Sequence, residues 1–372
     1  GLPANKICER DQDHQPMNDA NKEKRALVLQ AWGGDQGRHM VDESAGQLGY
    51  LCEYVQEPLP NFGWNNVMGK VVKWYGPSVK AAIRGLHRRS SADVILCCDP
   101  MCGLLMVFMA RLLHLKLPPV VISMFLFRNW QPAFMDKLRH SFANYGLVRV
   151  QKIICFSSYE MARYRKEFPR HAEKLVFVPL GNYSTMLDIE KENERVLKTP
   201  PMPYVFSGGT TNRDYKTLIK AMATMPEVKI KIIARKQNFP GVTPNLEFLQ
   251  DVYGADFERS IFDSQVVVLP LFDHCFSSGQ LTLLKAMELG KAIVASDVPG
   301  VRDYLTNEHD GLFVPAEDAG AMAAAIKKLL DDEKERARIG NNARRTFSSK
   351  YTQEQSISGI FSCVDEVVRG DT

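Results

Sequence analysis

HCFSSGQLTLLKAMELGKAIVASDVPGVRDYL, residues 274–305, contains the strongest pattern of secondary structure in this chain. Helical apolar spacing runs from Gly279 to Leu289, a Gly-Lys turn follows, and AIVAS then predicts a short buried strand. Just before this stretch, QVVVLPL at residues 265–271 predicts another buried strand. Strand, helix and strand in this order indicate a parallel sheet covered by helices.

The same alternation of strands and helices continues outside residues 274–305. YVFSGG and VKIKIIA precede it, and RALVLQAW, DVILCC and KIICFS lie in the first half of the chain. Residues 184–203 are charged and then proline-rich, which is typical of a linker. We therefore predict an α/β protein with two Rossmann-like domains facing across a cleft. The predicted segments are a flexible lead-in (1–24), a first domain (25–190), a second domain (203–350) and a C-terminal helix packing across the domains (351–372).

Composition places the chain among soluble globular proteins. Its 372 residues, 45% apolar and 24% charged, suit about two domains and exclude a disordered or fibrous protein. The longest apolar stretch, residues 103–127, is interrupted by Arg111, Lys116 and two prolines, so no membrane-spanning helix is predicted. The polar N-terminus predicts neither a signal peptide nor an anchor. Eight scattered cysteines favour a reducing cytoplasm, and Cys98 with Cys102 lacks the second ligand pair of a zinc site.

Positive charge is concentrated in one part of the chain. Residues 64–174 contain 18 Lys or Arg against 6 Asp or Glu, although the whole chain carries a net charge of only +4. Solvated helix faces are one explanation. The other is a surface for an anionic partner, such as acidic lipid headgroups or a phosphorylated acceptor. No helix-turn-helix, zinc-finger or RNP signature accompanies the basic segments, so nucleic acid is not an expected partner.

Two segments of the second domain have the features of an anion site. Gly208 and Gly209 follow its first strand, where a turn without side chains lets backbone N–H groups approach phosphate oxygens, and Arg213 adds a cation nearby. Residues 277–280, SSGQ, begin a helix whose unsatisfied N–H groups attract an anion. Two alternatives stay open: the glycines form only a tight turn, and a serine of SSGQ serves only as an N-cap.

Residues 204–330 resemble the C-terminal domain of the GT-B glycosyltransferases that carry a Glu-x7-Glu motif. The matching features are the strand ending at Pro270, the helix with AM and its Gly-Lys turn, IVASDVPGVRDYL, and HDGLFVPAEDAGAMAAAI. The first domain is similar more loosely, through the Gly33-Gly34 loop, KIICFS with Ser157, and FVPLGNY. The resemblance implies the GT-B architecture and a nucleotide-sugar donor bound mainly by the second domain.

The chain departs from this family at both motif glutamates, whose positions are occupied by Ser277 and Lys285. In the family the second glutamate typically holds the ribose hydroxyls of the donor. A lysine cannot accept those hydrogen bonds because its ammonium group only donates, so donor recognition is expected to differ. The family's cation pair on the diphosphate is reduced to Arg213, which stands at the lysine's position. Arg235 and Lys236 are candidates for the second charge.

We predict a hexosyltransferase-type glycosyltransferase that needs no cofactor. No Asp-x-Asp metal motif is obvious, so no metal site is predicted, and helix termini with cations are expected to stabilise the leaving diphosphate. The acceptor is expected to be a glycan or a lipid-linked molecule. An anionic membrane surface is a further expected partner of the basic first domain, and the location is expected to be cytoplasmic or peripheral on the membrane. The predicted donor-binding residues are Gly208, Gly209, Arg213, Arg235, Lys236, Ser277, Ser278, Gly279, Gln280 and Lys285.

The first domain supplies the candidates for catalysis. If the reaction inverts, a base must take the proton of the acceptor, and Asp35 and Asp99 are the predicted catalytic residues because both follow strands that end at the cleft. Each of the two is alternatively a turn or helix-cap residue. Gly33 and Gly34 are predicted to line the acceptor side of the cleft.

Two other kinds of function stay open. A nucleotide-sugar epimerase or a sugar phosphorylase would need a carboxylate or histidine cluster in the cleft. A non-catalytic sugar-nucleotide sensor or partner subunit would keep the fold without the motif glutamates. A nicotinamide dehydrogenase is not expected, because no Gly-x-Gly-x-x-Gly follows the first strand of either domain.

Overall fold

A computed structural model gives the architecture of the chain. It describes residues 23–30, 38–57, 67–125, 127, 133–182, 203–238, 241, 243–274 and 276–370. Residues 1–22 of the predicted lead-in, residues 184–202 of the predicted linker, and the candidate residues Gly33, Gly34 and Asp35 lie outside the described residues.

The first domain is built on a six-stranded parallel sheet with the strand order β2-β1-β3-β4-β5-β6. The strands are β1 Lys24–Gln30, β2 Tyr50–Gln56, β3 Val94–Cys97, β4 Val120–Ile122, β5 Lys152–Cys155 and β6 Leu175–Phe177. The helices are α1 Arg38–Gln47, α2 Val67–Arg88, α3 Pro100–Leu112, α4 Ala133–Leu147 and α5 Ser158–Glu167. Short 3-10 helices span Arg89–Ser91 and Pro169–Lys174.

The second domain is a second six-stranded parallel sheet, with the order β12-β11-β10-β7-β8-β9. Its strands are β7 Tyr204–Gly208, β8 Lys229–Ala234, β9 Leu246–Gln250, β10 Val266–Leu269, β11 Ala292–Ser296 and β12 Leu312–Val314. Its helices are α6 Tyr215–Met222, α7 Ala255–Phe262, α8 Gln280–Glu288, α9 Pro299–Arg302, α10 Ala319–Asp331 and α11 Glu333–Lys350. A 3-10 turn covers Lys236–Asn238, and the last helix is α12 Gln353–Arg369.

Both sheets are buried on both faces. The central strands β3 (VILC) and β10 (VVVL) are unbroken apolar runs in which every residue is buried. Continuous apolar strands of this kind are what a parallel sheet covered by helices requires. Each sheet therefore has one apolar cluster above it and another below it.

The C-terminal helix α12 returns to the first domain. Its buried residues Ile357, Phe361 and Val364 pack in one cluster with β1, β3, β4 and β5 of the first sheet. Asp365 adds polar contacts to the same face, because its Oδ1 accepts hydrogen bonds from Lys24 Nζ at 2.7 Å and from the Tyr50 hydroxyl at 3.1 Å. The predicted fold, two Rossmann-like domains with a C-terminal helix on the first, is confirmed.

Three local features differ from what the sequence predicts. The apolar run at residues 103–115 predicts a buried helix, but helix α3 begins at Pro100, because Asp99 caps it and Pro100 occupies the first turn. Residues 120–125 predict a strand, but strand β4 ends at Ile122. Strand β12, only three residues long, was not predicted, because so short an apolar run carries no periodicity. None of the described helices combines the length and the apolar character needed to cross a bilayer.

Replacing Val364 with Ala is expected to lower the free energy of unfolding by about 2 kcal/mol, because this side chain is fully buried between α12 and the first sheet. Urea unfolding of the whole chain measures the change. Val368→Ala, at a partly buried valine of the same helix, is the matched control and should cost less than about 1 kcal/mol. Equal effects of the two substitutions would contradict the docking of α12.

Candidate functional site

A crevice between the domains lies at the carboxyl ends of both sheets, where open α/β sheets bind ligands. It contains a cavity of about 530 Å³. The first domain contributes Met124, Phe156, Glu160 and Leu180 to its lining, and the second domain contributes Gly209, Thr210, Thr211, Arg213 and residues 277–282. Most of the predicted donor-binding residues therefore meet in one place.

The amino end of helix α8 opens into this cavity without a side-chain cap. Its N-cap is Gly279 at φ 91°, and within the described part of the chain this helix end has no side-chain capping hydrogen bond. Ser277 Oγ instead accepts a hydrogen bond from Gln280 Nε2, and Ser278 Oγ accepts one from Asn212 Nδ2 at 3.2 Å. The alternative that a serine of SSGQ serves only as the N-cap is therefore wrong. The uncapped amides and the helix dipole favour an anion here.

Arg213 places a buried cation beside these amides. Only 8% of Arg213 is exposed, and its guanidinium donates to the carbonyl of Gly208 at 3.0 Å, the carbonyl of Thr211 at 2.8 Å and the hydroxyl of Thr282 at 3.4 Å. These partners are all neutral, and burial lowers the pKa of Arg213 from its ordinary value. A buried cation whose partners are neutral attracts an anion strongly, because little water screens it.

Gly209 has no side chain, and this lets the guanidinium of Arg213 pack against its backbone. Its φ is 109°, and a Cβ atom added there would lie 2.6 Å from Arg213 Nη2. Gly208 has a different role, because a Cβ atom on it would lie 2.7 Å from the ring of Phe257. The two glycines thus do more than form a turn: Gly209 lines the cavity, and Gly208 allows β7 to pack against α7.

A second cavity of about 340 Å³ adjoins the first. Gly209, Thr210, Leu281 and Thr282 line both, so one ligand can extend through the two spaces. The remaining lining of the second cavity comes from Asn182, Ile233, Ala234, residues 251–254, Phe257, Glu258 and Lys285. Its apolar and aromatic walls with a few charged groups are typical of a small-molecule site.

Lys285 is part of a buried charge cluster in the second cavity. Its Nζ lies 2.6 Å from Glu288 Oε2, one turn later on α8, and 3.5 Å from Glu258 Oε1 on α7. The side chains of Lys285 and Glu288 are 7% and 2% exposed, whereas that of Glu258 is 22% exposed. Sequence reasoning singled out Lys285 but missed both glutamates. The i,i+3 spacing could have revealed Glu288, but nothing local marks Glu258.

The amino end of α5 joins the two domains. Ser277 N donates to Glu160 Oε1 at 3.3 Å, and Asp303 accepts hydrogen bonds from the amide and the hydroxyl of Ser158. The Tyr304 hydroxyl donates to the carbonyl of Phe156 at 2.7 Å and accepts from the amide of Leu180 at 2.9 Å. Apart from Ser277, the sequence did not reveal these residues as part of the site. Together they hold the crevice together beside the uncapped helix end.

Three other predicted residues, Arg235, Lys236 and Asp99, do not line these cavities. Arg235 and Lys236 are exposed after β8 and are not among the described residues that line either space. Asp99 is buried, and its Oδ1 accepts a hydrogen bond from Cys102 N at 2.6 Å as the N-cap of α3. This hydrogen bond is the one expected if Asp99 serves as a helix cap. Its catalytic role stays a prediction.

Solved structures share this arrangement of two domains. A sucrose-phosphate synthase from Thermosynechococcus elongatus superposes with a TM-score of 0.69 at 17% identity, covering 94% of this chain and 100% of that one. The Anabaena protein HepE in complex with UDP-glucose superposes with a TM-score of 0.66 at 14% identity, covering 92% and 99%. The chain therefore has the GT-B fold.

Sequence comparison identifies the class of the second domain. Residues 190–346 match the family model described as glycosyl transferases group 1. A phosphatidyl-myo-inositol mannosyltransferase from Mycolicibacterium smegmatis is 32% identical over 126 residues, which is 32% of this chain and 32% of the relative. The match thus spans about a third of that relative's length. The predicted resemblance to GT-B glycosyltransferases is confirmed.

Proposed function

We propose that the protein is a glycosyltransferase that moves a hexosyl group from a nucleoside diphosphate sugar to an acceptor hydroxyl. The observation that carries the proposal is the uncapped amino end of α8 beside the buried Arg213, in a cavity lined by both domains. The match of residues 190–346 to glycosyl transferases group 1 supports the reaction class.

In the proposed reaction, negative charge develops on the diphosphate beside the amides of α8 and Arg213. The bond between the anomeric carbon and the diphosphate oxygen breaks, the acceptor oxygen bonds to that carbon, and the acceptor loses its proton to a base. Negative charge then grows on the leaving diphosphate. Amides of α8 and the guanidinium of Arg213 stabilise that charge, and fixed donors in a buried site do so strongly. We propose that these groups serve in place of a metal ion.

The nucleoside is proposed to lie in the second cavity. Phe257 lies against Phe206 with ring centroids 5.5 Å apart, so it offers a fixed aromatic wall, and Tyr253 is exposed at the edge. Aromatic side chains exposed beside an apolar cavity suit the face of a nucleobase. A diphosphate at α8 and a base at Tyr253 would together fill the two adjoining spaces.

The acceptor is proposed to be a glycan or a lipid-linked molecule presented at an anionic membrane surface. Phe134 and Leu138 on α4 are each 68% exposed, and Lys137 lies exposed between them. Exposed apolar side chains beside cations are typical of surfaces that bind anionic membranes. We also propose a cytoplasmic location, because cysteines scattered along a long chain are typical of a reducing compartment. The mycobacterial relative is a phosphatidyl-myo-inositol mannosyltransferase, and phosphatidyl-myo-inositol is a phospholipid.

Calorimetry with UDP-, GDP-, ADP- and dTDP-sugars tests the proposed donor site. We expect at least one donor to bind and to be consumed when a suitable acceptor is present. Lys285 at a motif position favours a second candidate, a sugar-nucleotide sensor, for which binding would occur without turnover on any acceptor. Release of an altered sugar from donor alone would instead indicate an epimerase. Binding of none of these donors would contradict the proposal.

Gly209→Ala is expected to weaken binding of the preferred nucleoside diphosphate about tenfold. The new methyl group would displace the Arg213 guanidinium, which we place against the diphosphate. Gly241→Ala is the matched control, because its φ is 111° but none of the described residues lies within 4 Å of the added Cβ. It should leave affinity unchanged. Equal affinities of the Gly209→Ala variant and wild type in calorimetry would disprove the close approach.

Flotation with liposomes tests the membrane surface. We expect the protein to float with anionic vesicles at low salt and to be released at high salt, because salt screens the attraction. Replacing both Phe134 and Leu138 with Ser should reduce flotation severalfold at low salt, since the exposed apolar contacts are lost. Failure of the wild type to float at low salt would remove this part of the proposal.

A further inference from the structure

The two glutamates that contact Lys285 differ in exposure: the side chain of Glu258 is 22% exposed and that of Glu288 only 2%. Glu288 is almost fully buried and makes the shorter contact with Lys285 Nζ, at 2.6 Å. Glu258 makes the longer contact, at 3.5 Å, and its partly exposed carboxylate lines the second cavity. One lysine thus stands between two carboxylates, of which only Glu258 lines the ligand space.

Glu288 is the buried partner of Lys285, whereas Glu258 is its partner on the cavity side. Glu288 and Lys285 face each other at close range inside the protein, where opposite charges neutralise each other best. Glu258 reaches the same ammonium group from α7 on the cavity side, so the lysine restricts its position without burying it. An ionised carboxylate has two oxygens that only accept hydrogen bonds.

We propose that Glu258 binds the ribose of the nucleoside diphosphate by accepting hydrogen bonds from its vicinal hydroxyls, and that Lys285 is the positioning residue for this carboxylate. The inference rests on the proposed function, which puts the diphosphate at α8 and the nucleoside in the second cavity. The ribose then lies between them, near Leu281 and Thr282, which line both spaces. The sugar-binding carboxylate comes from α7, because α8 carries a lysine at this point.

The proposal makes the 2′-hydroxyl of the nucleotide a measurable determinant. Removing one hydrogen bond to a charged group costs about 1.5–3 kcal/mol, which corresponds to roughly a tenfold to hundredfold loss of affinity. A 2′-deoxyribonucleotide lacks one of the two donors that Glu258 would bind. Wild-type protein is therefore expected to bind the ribonucleotide at least about tenfold more tightly.

Calorimetry with UDP, GDP and ADP and their 2′-deoxy counterparts tests the inference. Glu258→Gln should reduce the preference for the ribonucleotide to within about twofold, because the amide accepts more weakly and also donates. Glu247→Gln is the matched control: this glutamate is in the same domain, its side chain is 56% exposed, and it pairs with Lys231 outside both cavities. It should keep the full preference.

Equal binding of ribonucleotide and 2′-deoxyribonucleotide by wild type would overturn the inference, whatever the variant does and even if the variant does not fold. Full preference retained by a folded Glu258→Gln variant would also overturn it. In both of these cases nucleotide binding persists and the proposed function stands. Binding of none of the nucleotides by wild type would contradict the proposed function and the inference with it.

Discussion

Arg213→Gln is expected to weaken the binding of the preferred nucleoside diphosphate about 30-fold or more. Truncating one partner of a buried, charged hydrogen-bonded pair typically costs at least about 2 kcal/mol, which is a factor of about 30. Arg213 is a buried cation that lines the same cavity as the uncapped amides of α8. Its loss removes the positive charge that we place against the diphosphate, so affinity and turnover should fall together.

Two further variants separate charge from geometry at this position. Arg213→Lys keeps the charge but not the planar fork that donates to Gly208 and Thr211, so an intermediate loss is expected. Arg338→Gln, at an exposed arginine paired with Glu335 on α11, is the matched control and should bind as wild type does. Calorimetry on variants whose melting temperature is preserved measures the effect. If the Arg213→Gln variant bound the nucleoside diphosphate as tightly as the wild type, the proposed anion site would be contradicted.

Lys285→Met is expected to lower the free energy of unfolding by about 3–5 kcal/mol. Removing one partner of a buried ion pair leaves the other charge uncompensated, and this is among the most destabilising changes in a protein interior. Lys285 and Glu288 are both buried, and their charged atoms lie 2.6 Å apart. The variant would retain the Glu288 carboxylate without the ammonium group that faces it. Urea unfolding of the whole chain measures the loss.

The double variant Lys285→Met/Glu288→Met provides the internal control. Replacing a buried pair by apolar side chains of similar volume is often neutral, so most of the lost stability should return. Lys327→Met removes an exposed partner of Asp331 with the same chemistry and should cost less than about 1 kcal/mol. If Lys285→Met were as mild as Lys327→Met, the pair would not be a buried structural element.

The alternation of apolar runs was enough to predict both sheets. Strands such as VILC and VVVL are buried on both faces, so their composition alone distinguishes them from the amphipathic helices between them. Parallel strands also place their carboxyl ends at one edge, and therefore the sequence alone assigns the SSGQ segment and Gly209 to one crevice. The helix end and the cation beside it were predictable for the same reason.

Contacts between segments distant in the chain could not be predicted. Glu160 meets Ser277 from 117 residues away, and Ser158 meets Asp303 from 145 residues away. Glu258 joins Lys285 from a neighbouring helix whose register no local pattern specifies. Side-chain direction decides such pairs, and periodicity assigns a residue to a face but not to a partner.

For Asp99 the sequence identified the residue but not its role. Its position after β3 suits either catalysis or capping, and only the geometry revealed that its carboxylate accepts the hydrogen bond of Cys102 N. Aspartate is favoured at N-caps for this contact, so the residue type alone does not discriminate between the two roles. The same ambiguity applies to Asp35, which lies outside the described residues.

A crystal structure with a bound nucleoside diphosphate tests the central claim most directly. We predict phosphate oxygens within hydrogen-bonding distance of the backbone amides that begin α8 and of the Arg213 guanidinium, with the nucleoside extending toward Phe257. A nucleotide bound elsewhere, or a diphosphate that faces solvent while Arg213 keeps only its hydrogen bonds to Gly208, Thr211 and Thr282, would contradict the claim.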